Sequence, residues 1–145
     1  GILPEACSTW FLPRLVGISK ALEWSYSARV FRAEEGLQAG LLRSLHEPEA
    51  LLPAARGLAQ EFIDNASAVS IAMIRQMMWR MLGAPHPIDA HEVDSAGIAA
   101  LGKSADAKEG ITAFLEKRKP AFKDRVSKDM PAFFPWWQDR PFRKL

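Results

Sequence analysis

The sequence holds one cysteine, Cys7, and has no apolar run long enough to span a membrane. A single cysteine excludes an internal disulfide and is typical of a reducing compartment, so we predict a cytoplasmic protein. A spanning helix needs about 18 to 20 apolar residues, so none is expected. The sequence lacks an initiator methionine and a basic signal segment, from which we expect a processed or truncated product.

Several common catalytic motifs are also missing. There is no GxSxG elbow, phosphate-binding loop or GxGxxG fingerprint. His86 and His91 have no cysteine or paired acid at ligand spacing, so no metal site is predicted. Cys7 has no histidine near it in sequence, so a nucleophilic role is not favoured.

Basic charge is concentrated at the C-terminus, where residues 117–145 carry nine basic and three acidic side chains. The tail FFPWWQDRPFRKL interleaves aromatic and basic residues, as single-stranded nucleic-acid binders do. Its aromatics cluster between prolines, however, which favours a segment that wraps over a neighbouring protein surface. We therefore predict no nucleic-acid partner.

Apolar spacing predicts a mainly α chain. The predicted helices cover residues 6–16, 18–26, 33–39, 49–64, 67–82, 89–101 and 104–117. Gly40 suits the left-handed position after the third helix, and Leu41–Leu45 is the only candidate strand. We divide the chain into residues 1–64, a helical region 65–124 and an aromatic, basic tail 125–145.

Glu5 is the first candidate functional residue, and two interpretations of it are open. Pro4 suits the first position of a helix, and an acid after it meets the positive end of the helix dipole. Alternatively, a carboxylate beside Leu3, Trp10 and Phe11 lies in an apolar pocket and acts as a base on a carbon-bound proton.

Three segments, in this order, resemble the crotonase (enoyl-CoA hydratase/isomerase) superfamily: GILPEACSTWFLPRLVG, VFRAEEGLQAGLLRSL and SADAKEGITAFLEKRKPAF. The resemblance covers residues 1–122 and only the C-terminal half of the family. It implies the C-terminal helical part of an α/β crotonase-like fold, with the ββα-repeat core absent from this chain. It also implies a coenzyme A thioester as substrate and no cofactor.

The resemblance gives Glu5 a role. The stretch Pro4-Glu5-Ala6-Cys7-Ser8 is similar to the P-E-(G/A)-x-S context of Δ3,Δ2-enoyl-CoA isomerases, whose glutamate is the catalytic base. Typical hydratases have glycine at this position and use two upstream glutamates. The family's oxyanion hole lies in the N-terminal half, so this chain alone is expected to be inactive.

Phe114 and Lys117 match the family's aromatic and lysine that reach the adenine ring and the 3′-phosphate of coenzyme A. Residues three apart share a helix face, so one can stack on a base while the other meets a phosphate. The alternative is that Phe114 belongs to the core and Lys117 is a solvated charge at a helix end.

The resemblance favours an enoyl-CoA isomerase or hydratase of fatty-acid-type metabolism, with Glu5 as base. The alternative is a non-catalytic helical module for oligomerisation or interaction. An apolar face formed by Ile71, Ile74, Met77, Met78 and Met81 is typical of a core or a subunit interface. The expected partners are acyl-CoA, the protein's own N-terminal half and further copies of itself.

We predict that this apolar face and the tail residues Trp136, Trp137 and Phe142 are covered, either by the N-terminal half or by a neighbouring subunit, and that the protein forms a trimer or a dimer of trimers. Large exposed apolar patches usually mark an interface. Sedimentation of the chain measures this directly. A stable, soluble monomer at micromolar concentration would contradict the prediction and favour the interaction module.

Overall fold

The computed structural model describes residues 1–141, and in that range it consists of seven helices without a strand. The prediction of a mainly α chain is therefore confirmed. The helices are α1 (Ser8–Val16), α2 (Ile18–Ser27), α3 (Ala33–Gln38), α4 (Pro48–Asn65), α5 (Ala68–Met81), α6 (Pro87–Leu101) and α7 (Ala105–Leu115). No helix in this part of the chain is long and apolar enough to cross a membrane.

The chain falls into two compact units, Gly1–Arg56 and the residues from Gly57 onward. The division lies inside α4, before the boundary that the sequence suggested at residue 64. Each unit has its own buried side chains, and the two are described separately.

In the first unit, α1 and α2 pack against each other across Gly17, whose φ of 78° suits a residue without a side chain. Trp24 of α2 is buried, and its ring stacks on Phe31 with centroids 4.0 Å apart. The indole N–H of Trp24 donates to the Glu35 carboxylate of α3 at 2.7 Å. One aromatic side chain thus joins α2 to α3.

Arg29 completes this junction by donating two hydrogen bonds to the Glu35 carboxylate. The Arg29 guanidinium and then the Trp24 N–H lower the pKa of Glu35 to about 2. A carboxylate held by a two-pronged guanidinium is fixed in orientation as well as in charge. The pair therefore keeps the segment between α2 and α3 in one conformation.

The predicted strand Leu41–Leu45 is wrong. The N–H groups of Leu41 and Leu42 both donate to the carbonyl of Gly36, at 2.9 and 3.2 Å, and so close the end of α3. Gly40 adopts the left-handed conformation predicted for it, with φ 79°. An edge strand needs a second strand to pair with, and the described residues contain none.

The second unit is built around α5, whose Val69 and Met73 are almost fully buried, and α7, which buries Ala113. α5 packs against α6. The tail is connected to α5 by Arg80, whose guanidinium lies 3.4 Å from the centre of the Trp137 ring. Trp137 is half-buried by these contacts.

The apolar face predicted on α5 is largely open in this chain. Ile71, Ile74 and Met78 are 39%, 48% and 69% exposed. Phe142, named with the tail aromatics, lies outside the described residues. That the N-terminal half or a neighbouring subunit covers this face stays a prediction.

The segment 118–124 is attached to the start of α7 through a buried acid. Asp106 is 4% exposed, and its carboxylate accepts hydrogen bonds from the N–H groups of Lys123 at 2.7 Å and Asp124 at 3.2 Å. In return, the Asp124 carboxylate accepts from the Asp106 N–H at 3.3 Å. The N-cap hydroxyl of Ser104 accepts from Ala107 and completes the helix start.

Burial by itself raises the pKa of Asp106, but the Lys123 N–H, the Ser67 hydroxyl and the Asp124 N–H together bring that pKa below its ordinary value. Because the folded pKa is lowered, the charged form stabilises the fold above about pH 4. That stabilisation is lost as the pH falls through the folded pKa.

We predict that Asp106→Asn lowers the free energy of unfolding by about 2 kcal/mol at pH 7, because its amide NH₂ faces N–H donors that it cannot satisfy. Chemical denaturation at pH 7 and pH 3 measures the difference from wild type, which should shrink at pH 3. Asp89→Asn, in the first turn of α6, is the matched control and should change stability by less than about 0.5 kcal/mol. An equal effect of the two substitutions would contradict this account of Asp106.

Candidate functional site

Glu5 lies in a tight turn in front of α1. The next two residues, Ala6 and Cys7, are both left-handed, with φ of 53° and 61°. The N–H and the hydroxyl of Ser8 both donate to the Glu5 carbonyl, at 3.0 and 2.6 Å. Such φ values are uncommon for residues other than glycine, and two in succession mark a strained turn.

This turn corrects the helix boundary expected from the sequence. The helix begins at Ser8 and not at Ala6. Pro4 is therefore not at the first helical position, and Glu5 is not in the first turn. The interpretation of Glu5 as an ordinary acid in the first turn of a helix loses its structural basis.

The Glu5 side chain is exposed, and among the described residues it makes no salt bridge or side-chain hydrogen bond. The predicted apolar pocket is not formed within this chain, since Leu3 is 85% exposed. Trp10 and Phe11 lie edge to face on α1 with centroids 4.8 Å apart. The turn thus presents an accessible carboxylate a few residues before an aromatic pair on α1.

The second candidate group lies where α7 ends. The helix stops at Leu115, and Lys117 is left-handed with φ 54°. The Lys117 N–H donates to the Phe114 carbonyl at 3.2 Å, and the Arg118 N–H donates to the Ala113 carbonyl at 3.0 Å. These two bonds form a Schellman motif, with Lys117 at the position that usually holds glycine.

Phe114 and Lys117 are therefore neighbours, but not for the reason expected. Lys117 follows the helix and does not share a helical face with Phe114; the backbone hydrogen bond brings the two together. The helix thus ends two residues before the predicted bound at residue 117, so Lys117, Arg118 and Lys119 all lie beyond it. Phe114 is 82% exposed, so it is not part of this chain's core.

The two basic residues after Lys117 are paired with acids. The Arg118 guanidinium donates to the Glu109 carboxylate at 2.6 and 3.0 Å and to Glu116 at 2.6 Å. Lys119 forms a salt bridge with Asp64 at 3.1 Å. The described residues offer Lys117 no such partner, so its ammonium is left for a ligand or solvent.

Glu109 binds a backbone group as well as Arg118. Its carboxylate also accepts from the N–H of Ala121 at 2.7 Å. The Arg118 guanidinium first and the Ala121 N–H next lower the pKa of Glu109 to about 2. Sequence reasoning missed Glu109 and Arg118, because nothing in a nine-residue separation indicates that the chain turns back on α7.

An apolar groove of about 800 Å³ runs along the second unit. Its lining comes from α5, α6, α7 and the segment after α7, and includes Met73, Ile74, Met77, Ile98, Ile111 and Phe122. The apolar spacing on α5 was the sequence signal for this groove. The shape of the groove also depends on Phe122, whose ring packs over Gly110 and forms part of the lining.

The structure thus brings Phe114 and Lys117 together in the second unit, while Glu5 lies in the first. Within residues 1–141 there is no group of three or more His, Cys, Asp or Glu side chains that could hold a metal ion. The two candidate groups are accordingly described as separate sites.

Comparison with known proteins identifies what this chain is similar to. The family described as enoyl-CoA hydratase/isomerase matches residues 1–125. The chain is 37% identical over 127 residues to the enoyl-CoA hydratase ACTT3 of Alternaria alternata, covering 87% of this chain and 42% of that protein. It is 36% identical to the crotonyl-CoA hydratase of Syntrophomonas wolfei, covering 84% of this chain and 46% of that protein.

Solved structures give the same result for the fold. A probable enoyl-CoA hydratase/isomerase from Mycobacterium abscessus superposes with a TM-score of 0.80 at 28% identity, over 86% of this chain and 49% of that one. The chain thus spans about half the length of the proteins it matches. The resemblance stated from the sequence, and the helical C-terminal part of the fold that it implied, are confirmed.

Proposed function

The chain belongs to the enoyl-CoA hydratase/isomerase family, and from this we propose that it acts on enoyl-CoA thioesters, with Glu5 as the base that shifts a double bond. The observation that carries the proposal is the exposed Glu5 carboxylate, which has no side-chain partner within residues 1–141 and lies on a strained turn inside the family match. Strain of this kind is concentrated at functional sites.

The proposed reaction is the conversion of a 3-enoyl thioester to a 2-enoyl thioester. Glu5 removes a proton from C2, and the electrons of that C–H bond pass into a dienolate whose charge rests on the thioester oxygen. The same carboxyl returns the proton at C4, which leaves the double bond between C2 and C3. A single base suffices, whereas hydration of the double bond needs a second group to activate water.

The dienolate needs hydrogen-bond donors at the thioester oxygen, because an oxyanion-hole donor stabilises the charge that develops in the transition state. By resemblance, two backbone N–H groups in an N-terminal half supply them. We propose that this half, with the present chain, completes the site. No cofactor takes part, since the proton transfer is carried out by the carboxyl alone.

For substrate binding, we propose that Phe114 stacks on the adenine of coenzyme A and that Lys117 meets its 3′-phosphate. Support comes from the exposed Phe114 ring and from the Lys117 ammonium at the same helix end, which forms no salt bridge within the described part of the chain. A cytoplasmic location, a role in fatty-acid-type metabolism and assembly as a trimer or hexamer belong to the same proposal.

The open apolar groove favours a second candidate, a non-catalytic helical module whose groove takes up a partner helix. A turnover assay with 3-enoyl-CoA distinguishes the enzyme from the non-catalytic module. The enzyme turns over 3-enoyl-CoA when expressed from its complete reading frame, and the module does not.

We predict that Glu5→Gln, made in the protein expressed from its complete reading frame, lowers the rate of 3-enoyl-CoA isomerisation by at least about a hundredfold. The amide keeps the size of the side chain and removes the base. The rise in 2-enoyl-CoA is followed by absorbance or chromatography.

The matched control is Glu34→Gln, an exposed glutamate in the first turn of α3, which should leave the rate unchanged. Residues 1–145 alone serve as a second control and should show no turnover. Near-full activity of Glu5→Gln would contradict the proposed role, and so would robust turnover by residues 1–145.

A further inference from the structure

A lysine at the left-handed position after α7 is unfavourable for the backbone. Glycine is the usual residue there, because a side chain crowds its own carbonyl when φ is positive. Lys117 nevertheless adopts φ 54°. A strained residue that is held by its surroundings points to a use for its side chain.

Arg118, the residue after Lys117, is held in place both by its backbone N–H and by its side chain. The Arg118 N–H donates to Ala113 on the last turn of α7. The Arg118 side chain reaches back to Glu109, with Nη1 2.6 Å from Oε1 and Nη2 3.0 Å from Oε2. This two-pronged contact fixes the guanidinium plane, which a single ion pair cannot do.

Glu109 also fixes the chain beyond Arg118, since its carboxylate accepts from the Ala121 N–H at 2.7 Å. The chain on the C-terminal side of Lys117 is therefore tied to α7. On the N-terminal side, the Lys117 N–H is bonded to the Phe114 carbonyl. Lys117 has little freedom to leave the left-handed conformation while both ties hold.

We propose that Glu109, acting through Arg118, is a positioning residue: it holds Lys117 left-handed so that its ammonium stands beside the Phe114 ring and receives the 3′-phosphate of a coenzyme A thioester. This inference rests on the proposed function for the identity of the ligand. The residues that touch the ligand are Phe114 and Lys117, and Glu109 touches only the residues that hold them.

The direction in which one substitution changes phosphate binding distinguishes a positioning role of Glu109 from a purely electrostatic one. Glu109→Gln removes a negative charge near the proposed phosphate site. Charge alone would strengthen phosphate binding. Loss of positioning weakens it, because the lysine then spends less time in the binding conformation.

The experiment measures binding of two probes to the 145-residue chain by NMR titration. Adenosine 3′,5′-bisphosphate carries the 3′-phosphate, and adenosine 5′-monophosphate lacks it. We expect wild type to prefer the bisphosphate, and Glu109→Gln to weaken bisphosphate binding about fivefold with the monophosphate unchanged. Arg118→Lys keeps the charge but loses the two-pronged contact, and should behave in the same way.

Two further variants show that the effect passes through Lys117. Lys117→Ala should abolish the preference for the bisphosphate, and adding Glu109→Gln to it should have no additional effect. Lys117→Gly should also lose the preference while raising Tm by about 3 °C, because glycine relieves the strained φ. Glu35→Gln, which breaks the similar pair with Arg29 in the first unit, is the matched control and should leave binding unchanged.

Unchanged or tighter bisphosphate binding by Glu109→Gln would overturn the inference, and so would an equal loss in the Lys117→Ala background. If wild type prefers the bisphosphate through Lys117 while Glu109→Gln keeps that preference, only the positioning role is wrong. If wild type does not distinguish the probes, the proposed coenzyme A site is wrong and the inference falls with it.

Discussion

The second unit depends on the attachment of one irregular segment, residues 118–124, to α7 by two carboxylates. Asp106 at the start of the helix accepts the N–H groups of Lys123 and Asp124, and Glu109, one turn on, accepts that of Ala121. Backbone donors that do not belong to a helix or sheet lack the partners that regular structure supplies, and these three N–H groups find theirs on the two carboxylates. Two carboxylates on α7 thereby replace the backbone hydrogen bonds that a helix or sheet would provide.

This attachment shapes two features of the unit, the apolar groove and the turn at Lys117. It holds Phe122 over Gly110, where the ring forms part of the wall of the apolar groove. It also fixes the turn at Lys117, because Arg118 is bound to the same Glu109. The groove wall at Phe122 and the turn after Lys117 are therefore both held by contacts to α7.

Both candidate groups lie on left-handed turns next to a helix end. Ala6 and Cys7 separate Glu5 from α1, and Lys117 follows α7. Each such residue costs about 1 to 2 kcal/mol in backbone energy. In each case the turn leaves a charged side chain exposed at the end of a rigid element, which suits a group that meets a ligand.

The helices were predictable from the sequence, because their apolar spacing and their ends are local signals. Gly40 and Ser104 occupy the terminal positions expected of them. The strand predicted at Leu41–Leu45 was wrong, because a strand needs a partner that can lie far away in the sequence. No partner strand exists in the part of the chain that the structure describes.

The candidate sites were less predictable than the helices. Propensity gives no reason to expect alanine or lysine at positive φ, so the start of α1 and the end of α7 were misplaced. Glu5, Phe114 and Lys117 were selected by family resemblance. The contact between Glu109 and Arg118, next to Lys117, joins residues whose proximity follows from the turn itself.

The central claim is that residues 118–124 are fixed on α7 by the two carboxylates, and amide hydrogen exchange of Ala121 and Lys123 tests it most directly. These residues are exposed and lie outside any helix, yet their N–H groups are bonded at 2.7 Å each. The account predicts exchange at least about a hundredfold slower than in an unstructured peptide. Exchange at the unstructured rate, while the amides in the middle of α7 stay protected, would contradict it.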